Sequence, residues 1–276
     1  MLMKFTKMHG LGNDFVVVDA VTQNVRVTGS MVRRLANRTL GIGCDQVLVI
    51  EPPTEPEIDF NYRIFNQDGG EVEQCGNGAR CLARYVNDRR LTGKNTIVVK
   101  TKNRVMELQL QSNKLVTVNM GVPQFDPAQI PFQADQPAEL YDIDLNNQKH
   151  QIAAISMGNP HAVLQVEDIS EAPVASLGPM LESHPSFPNQ VNAGFMQIVD
   201  RNNIKLRVFE RGVGETQACG SGACAAAVAA IRQQLVDSPV TVQLTGGDLS
   251  IQWQGDNEPL FMTGPAVSVF HGRVRI

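Results

Sequence analysis

Glu71-Val72-Glu73-Gln74-Cys75-Gly76-Asn77-Gly78-Ala79 and Glu215-Thr216-Gln217-Ala218-Cys219-Gly220-Ser221-Gly222-Ala223 are one turn written twice. Upstream, Arg63-Ile64-Phe65-Asn66 is echoed by Arg207-Val208-Phe209-Glu210, and both echoes lie 144 residues apart. Nearer the start of each half, Gly12-Asn13-Asp14-Phe15-Val16-Val17 parallels Gly158-Asn159-Pro160-His161-Ala162-Val163 at an offset of 146. A period this long excludes a solenoid. A drift of two residues is one small loop change, so the chain reads as two homologous domains with one Cys-Gly-x-Gly-Ala turn each.

The segments around those turns repeat as well. Short β-branched runs bounded by turn residues predict strands at 15–19, 47–50 and 60–65, and again at 162–166, 195–199 and 204–209. An antiparallel meander is expected at 97–101, 105–110 and 115–119, matched by 240–244, 249–253 and 260–263. One long helix per half starts at the Cys-Gly turn, at 77–90 and at 221–236. The second is apolar on every face from Ala223 to Ile231, which requires burial all round. The first carries Arg80, Arg84 and Arg89 and is expected to be less enclosed. The fold class is therefore α+β (mixed): two pseudo-symmetric domains, each a curled, mostly antiparallel sheet around a central helix. The expected boundaries are 1–120 with a returning strand at 265–276, and 121–264, with the active site in the cleft between them. Polar, proline-punctuated residues 121–151 read as the link.

Composition narrows the function. The 276 residues carry a net charge of −4, with 42% hydrophobic and 19% charged residues, ordinary for a globular protein with a real core. The charges are mixed without a basic stripe, which argues against nucleic acid as a partner. The opening Met1-Leu2-Met3-Lys4-Phe5-Thr6-Lys7 lacks the apolar centre of a signal peptide, and no stretch is long and apolar enough to span a bilayer. No membrane association and a cytoplasmic location are expected.

Five cysteines (44, 75, 81, 219 and 224) leave a disulfide framework out of place in such a chain. Cys75 with Cys81, and Cys219 with Cys224, lack the C-x2-C spacing of structural zinc, so no metal is expected. Cys44, Cys81 and Cys224 read as core residues. The glycines do not continue to a dinucleotide fingerprint, because Cys81 and Ala225 stand at the third position. Cys75 and Cys219 have two readings: small residues packing a helix start, or reactive thiols. Retention of the same thiol in the same turn of both halves, while its neighbours differ, favours reactivity.

A helix N-terminus offers unpaired N–H groups and a positive field, suited to a carboxylate and able to lower a thiol pKa. Inverting a carbon acid needs a base on one face and an acid on the other, and two equivalent thiols supply both. No cofactor is required.

His9-Gly10-Leu11-Gly12-Asn13-Asp14-Phe15, Gln74-Cys75-Gly76-Asn77-Gly78-Ala79-Arg80-Cys81, Met157-Gly158-Asn159-Pro160-His161 and Gly214 to Gly222 resemble diaminopimelate epimerase. The resemblance covers essentially the whole chain and implies cofactor-independent interconversion of LL- and meso-diaminopimelate, on the route to lysine and cell-wall precursors. It implies Cys75 and Cys219 as the acid–base pair, assisted by His161 and Glu210. It also implies Asn13, Gln46, Asn66, Asn159, Asn192, Glu210 and Arg211 as substrate contacts, with backbone amides of Gly76, Asn77, Gly220 and Ser221 on the α-carboxylate. Taken alone, Asn66 and Asn192 read as turn residues, His161 as a strand cap and Glu210-Arg211 as a surface ion pair. Two positions depart from the family pattern: Cys44 where Phe is expected, and Phe270 where close relatives carry Tyr at a dimer interface. A homodimer with Phe270 near the interface is expected. The alternatives are a proline-racemase-like or isomerase relative of the same duplicated fold and, from another class, a thiol-redox or zinc module.

Overall fold

The structure, a computed structural model, describes residues 2–72 and 76–275. Cys75 therefore lies outside the described residues. The chain divides into two compact units, Met1–Asn119 with Thr263–Ile276, and Met120–Met262.

The first unit runs β1 (Leu2–Gly10), β2 (Asn13–Asp19), α1 (Gly29–Ala36), β3 (Gln46–Glu51), β4 (Phe60–Asn66), β5 (Glu71–Val72), α2 (Gly76–Asp88), β6 (Thr96–Lys100), β7 (Val105–Leu110) and β8 (Val116–Gly121). β1 and β2 form a hairpin, β2 lies parallel to β3, and β3 is antiparallel to β4. β4 continues antiparallel to β5 and parallel to β6, which opens the β6–β7–β8 meander.

The second unit contains β9 (Tyr141–Leu145), β10 (Gln148–Ser156), β11 (Pro160–Gln165), α3 (Val174–Glu182), β12 (Asn192–Asp200), β13 (Asn203–Glu210), β14 (Gly214–Thr216), α4 (Gly220–Arg232), β15 (Val240–Leu244) and β16 (Gly247–Gln252), then β17 (Leu260–Gly264). Its pairings repeat the first: β10–β11 antiparallel, β11–β12 parallel, β12–β13 and β13–β14 antiparallel, β13–β15 parallel, β15–β16 antiparallel. The last strand, β18 (Val267–Arg275), pairs antiparallel with β1 in the first unit.

Register locates the drift seen in the sequence. Phe15 pairs with Gln46 as His161 pairs with Asn192, each 31 residues apart. The two-residue change falls after that point, where the loop from β3 to β4 is replaced by the tight turn at Arg201 and Asn202 between β12 and β13.

Both central helices end alike, and earlier than periodicity suggests. Arg90 (φ 55°) and Gln234 (φ 57°) turn the chain into the left-handed region. Leu91 N–H then reaches back to Val86 O and Leu235 N–H to Ala230 O, each at 2.9 Å. This 6→1 closure is a Schellman motif without its usual glycine, hence its invisibility in sequence.

α4 is buried along its length, with Ala223 to Ala230 all at 2% exposure or less, as its apolar faces require. α2 differs from expectation. Arg80 is completely buried, because hydrogen bonds inside the unit, not solvent, receive its guanidinium. Each unit also holds a second, shorter helix that the sequence reading missed. In α1 the Thr28 hydroxyl accepts from Met31 N–H and only Val32, Leu35 and Ala36 face inward, too few to register as a period. α3 carries Pro179 in its interior, a residue that argues against helix.

Residues 121–151 are not a bare link. They form a turn at Pro127–Gln129, β9 and the start of β10. They also insert Ile130, Phe132, Ile143 and Leu145 into the core of the second unit. Phe132 stacks on Phe187 (4.6 Å between ring centres) and meets Tyr141 edge-on.

Because α4 is walled in by strands, its alanines leave no room for growth. Ala226→Leu is expected to lower unfolding free energy by about 1–3 kcal/mol in urea titration, with the midpoint falling and the slope unchanged.

Candidate functional site

Gly222 packs tightly on its own turn: a Cβ there would sit 3.2 Å from Cys219 Sγ and 3.1 Å from Val208, so those neighbours would have to give by a few tenths of an ångström. Gly78, its counterpart on α2, is held harder, since a Cβ would fall on the Tyr62 hydroxyl. Both helix starts are thus pressed against their own sheets. In α4 the first intrahelical bond is Ala223 N–H to Cys219 O, leaving the N–H groups of Gly220, Ser221 and Gly222 outside the ladder. Gly222 N–H faces the Cys219 sulfur.

Around Cys219, itself 4% exposed, the second unit assembles a directed chain of hydrogen bonds. Asn159 Nδ2 donates to Ser221 Oγ (3.3 Å), and Ser221 Oγ lies 3.7 Å from Cys219 Sγ. With its amide nitrogen committed to Ser221, Asn159 turns Oδ1 toward His161 Nε2 at 3.1 Å. The imidazole thus pairs through Nε2 with the Asn159 carboxamide. On the other side of the thiol stands Glu210, whose Oε1 also accepts from Thr216 Oγ1 at 2.5 Å.

This setting reverses the expectation of a thiol activated by its helix. Burial raises the Cys219 pKa well above its ordinary value, and the Glu210 carboxylate raises it further. Donation from Gly222 N–H and the Ser221 hydroxyl pulls the other way and does not prevail. The resting group is a neutral thiol. His161, 1% exposed, is held neutral too, its pKa lowered to about 3 by burial and by the charge of Arg211.

The other proposed contacts of this unit are tied to backbone. Asn192 donates to Pro160 O (2.9 Å) and accepts from Arg211 N–H (3.0 Å), stapling the start of β11 to the end of β13. Arg211 Nη1 donates to Asn189 O (3.1 Å).

The first unit builds the corresponding half from different residues. Asn77 Nδ2 donates to Asn13 Oδ1 (3.3 Å), matching Asn159 with Ser221. Gln46 Nε2 donates to Asn66 Oδ1 (2.8 Å), and the buried Gln46 Oε1 has no partner among the described residues. Gly76 and Asn77 open α2 as Gly220 and Ser221 open α4. Where the second unit has His161 and Glu210, the first has Phe15, fully buried, and Asn66. The halves share a frame but differ in ionisable groups.

Cys44, Cys81 and Cys224 are fully buried core residues, and burial pushes the Cys44 thiol up to about 12. Among the described residues, no group of three or more His, Cys, Asp or Glu side chains is placed to hold a metal. No helix among them is long and apolar enough to cross a membrane. Sequence reasoning missed Thr216, Asp45 and Arg80, polar groups that hold the site residues named above. Thr216 and Arg80 stand inside the two cysteine motifs, and Asp45 adjoins Gln46.

Two paired glycine-cysteine helix starts in a duplicated frame direct the comparison with known proteins. The sequence pattern of diaminopimelate epimerase matches residues 5–125 and 153–269. The chain belongs to the diaminopimelate epimerase family. It is 58% identical over 276 residues, all of both chains, to the diaminopimelate epimerases of Ectopseudomonas mendocina and Pseudomonas entomophila, and 57% to that of Azotobacter vinelandii.

Solved structures share the fold at low identity. A phenazine biosynthesis protein of the PhzF family from Bacillus anthracis superposes with TM-score 0.70 at 15% identity, covering 100% of both chains. A hydroxyproline epimerase from Agrobacterium vitis gives 0.70 at 13% identity, covering 99% of this chain and 92% of its own. The α+β duplicated architecture read from sequence is the architecture of these proteins. Membership in the diaminopimelate epimerase family sets aside the proline-racemase and zinc-module alternatives.

Two outcomes follow from the buried charges. His161 has a folded-state pKa near 3 against an ordinary 6.5, so between these values the unfolded chain binds a proton that the native one does not. Stability should therefore fall as pH drops from about 6.5 toward 3, by up to about 1.4 kcal/mol per pH unit from this group. Thermal melts of wild type and His161→Gln should converge at acid pH if this holds. Removing the Glu210 charge should lower the Cys219 pKa. Peptide-resolved alkylation by iodoacetamide should then show Glu210→Gln reacting at Cys219 at lower pH than wild type.

Proposed function

We propose that the protein interconverts LL- and meso-diaminopimelate without a cofactor, Cys75 and Cys219 exchanging a proton at opposite faces of one α-carbon. The observation that carries this reading is the buried thiol between a carboxylate and an open helix N-terminus, set in a family pattern that spans both halves. In this reading Glu210 takes the proton from Cys219, and the thiolate so formed removes the α-hydrogen on its own side. Cys75 delivers a proton on the other. Desolvation, which keeps Cys219 neutral at rest, makes its thiolate a stronger base once formed.

The helix-start amides of Gly76, Asn77, Gly220 and Ser221 hold the α-carboxylate and stabilise the charge that builds on it as the proton leaves. Asn13, Asn66, Asn159 and Arg211 take the remaining polar groups, and the unpaired Gln46 Oε1 offers an acceptor to an ammonium. His161, uncharged and bonded to Asn159, orients that amide and adds no cation to the site. Asn192 supports Arg211 through its backbone.

The protein is further proposed to act as a cytoplasmic homodimer. Val267, Val269 and Phe270 on β18 are 43%, 55% and 47% exposed, which supports an interface there. Phe270 rests edge-on against Phe5.

Each thiol reaches only the hydrogen on its own face. Cys219→Ala and Cys75→Ala are each expected to abolish net LL-to-meso conversion in deuterated water, measured by NMR. Each should retain slow deuterium exchange into one stereoisomer, with opposite choice. Near-wild-type conversion by either variant would falsify the two-thiol mechanism, and efficient racemisation of proline by the wild type would overturn the substrate.

A further inference from the structure

A buried guanidinium sits behind the half-site of the first unit. Arg80 is 0% exposed, one helical turn beyond Asn77 on α2. Its Nη2 donates to Asn77 Oδ1 (3.0 Å) and its Nε to Pro265 O (3.1 Å). Gly10 makes the room, since a Cβ there would lie 3.2 Å from Arg80 Nη2.

From Asn77 the chain of bonds continues outward. Asn77 Nδ2 donates to Asn13 Oδ1, and Asn13 Nδ2 donates to Asp45 Oδ2 (3.0 Å). The other Asp45 oxygen accepts from Arg38 (2.7 Å). A guanidinium can only donate and a carboxylate can only accept. Arg80 at one end and Asp45 at the other therefore fix the sense of both carboxamides between them: each must present oxygen toward Arg80 and nitrogen toward Asp45.

The second unit has no such arrangement. Cys224 stands at the place of Arg80 and Val191 at that of Asp45, both fully buried and apolar. There Asn159 is bonded instead to the Ser221 hydroxyl and the neutral His161, each able to donate or accept. A fully buried cation is costly unless hydrogen-bonded, so its presence in one half alone calls for a role.

We infer that Arg80 and Asp45 are positioning residues that polarise Asn77 and Asn13 in a single orientation, so that these two amides meet the substrate with fixed donor and acceptor groups. The inference rests on the epimerase reading above. The Pro265 bond is the competing, merely structural role of Arg80, since it ties α2 to the start of β18.

The test measures steady-state epimerisation by full-length Arg80→Lys and Asp45→Asn. Lysine keeps the charge without the planar fork, and asparagine at 45 can donate as well as accept. Both are expected to raise KM about tenfold or more with kcat little changed, the loss of uniformly used hydrogen bonds. The double variant should cost no more than the worse single one, because both act through one chain. Arg38→Gln, which removes the ion pair but leaves the Asp45 acceptor, should keep wild-type KM.

Side-chain amide resonances of Asn13 and Asn77 in the unliganded protein should be distinct in wild type and should shift in Asp45→Asn. Folded Arg80→Lys and Asp45→Asn with wild-type KM would overturn the positioning role. Should Arg80→Lys fail to fold, Asp45→Asn decides by itself. If wild type does not turn over diaminopimelate, the functional reading falls. The positioning role is then judged on the amide resonances, and an unchanged spectrum in Asp45→Asn overturns it.

Discussion

Each central helix begins inside its own sheet, and the arrangement of the site follows from that constraint. The first N–H groups of a helix have no intrahelical partner, and burial removes water as a substitute. In α4 one of them, Gly222 N–H, is given to the Cys219 sulfur, and those of Gly220 and Ser221 stay outside the ladder. Close approach enforces glycine at 78, where a side chain would collide with Tyr62, and leaves little room at 222 against Val208 and the cysteine itself. A central helix that starts against its own sheet, with a glycine at the point of closest approach, is one structural solution made twice, and at α4 it places Cys219 beside the helix start.

Burial then sets the chemistry. A thiol at an exposed helix end tends toward thiolate, but desolvation and the neighbouring Glu210 outweigh that field at Cys219. A buried thiol beside a carboxylate that can accept its proton has a short path to a strongly basic thiolate. Neutral His161 belongs to the same economy, orienting Asn159 without introducing a charge that would need a counterion. The two halves have diverged at these positions: Phe15 and Asn66 replace His161 and Glu210, while Arg80 and Asp45 appear where the second half has Cys224 and Val191. One frame therefore holds two differently polarised half-sites.

Much of this was legible in the chain. The 144-residue echo, the strand runs and the all-apolar α4 are local patterns of composition and period, and they carry the duplication, the main strands of each half and the two central helices. What escaped was of another kind. The Schellman closures at Arg90 and Gln234 lack glycine, α1 is too short for a period, and α3 contains a proline. Residues 121–151 are polar and proline-rich on average, yet four scattered apolar side chains commit them to the core of the second unit.

Sequence by itself thus determined the duplicated α+β frame and the family, because these reside in local pattern and in motif. Only the tertiary structure decided protonation and orientation. That Cys219 rests as a thiol, that His161 is neutral, and that buried Arg80 aligns two asparagines each depend on which atoms meet and how much water is excluded. Residues far apart in the chain set those quantities, and desolvation has no signature in the order of residues.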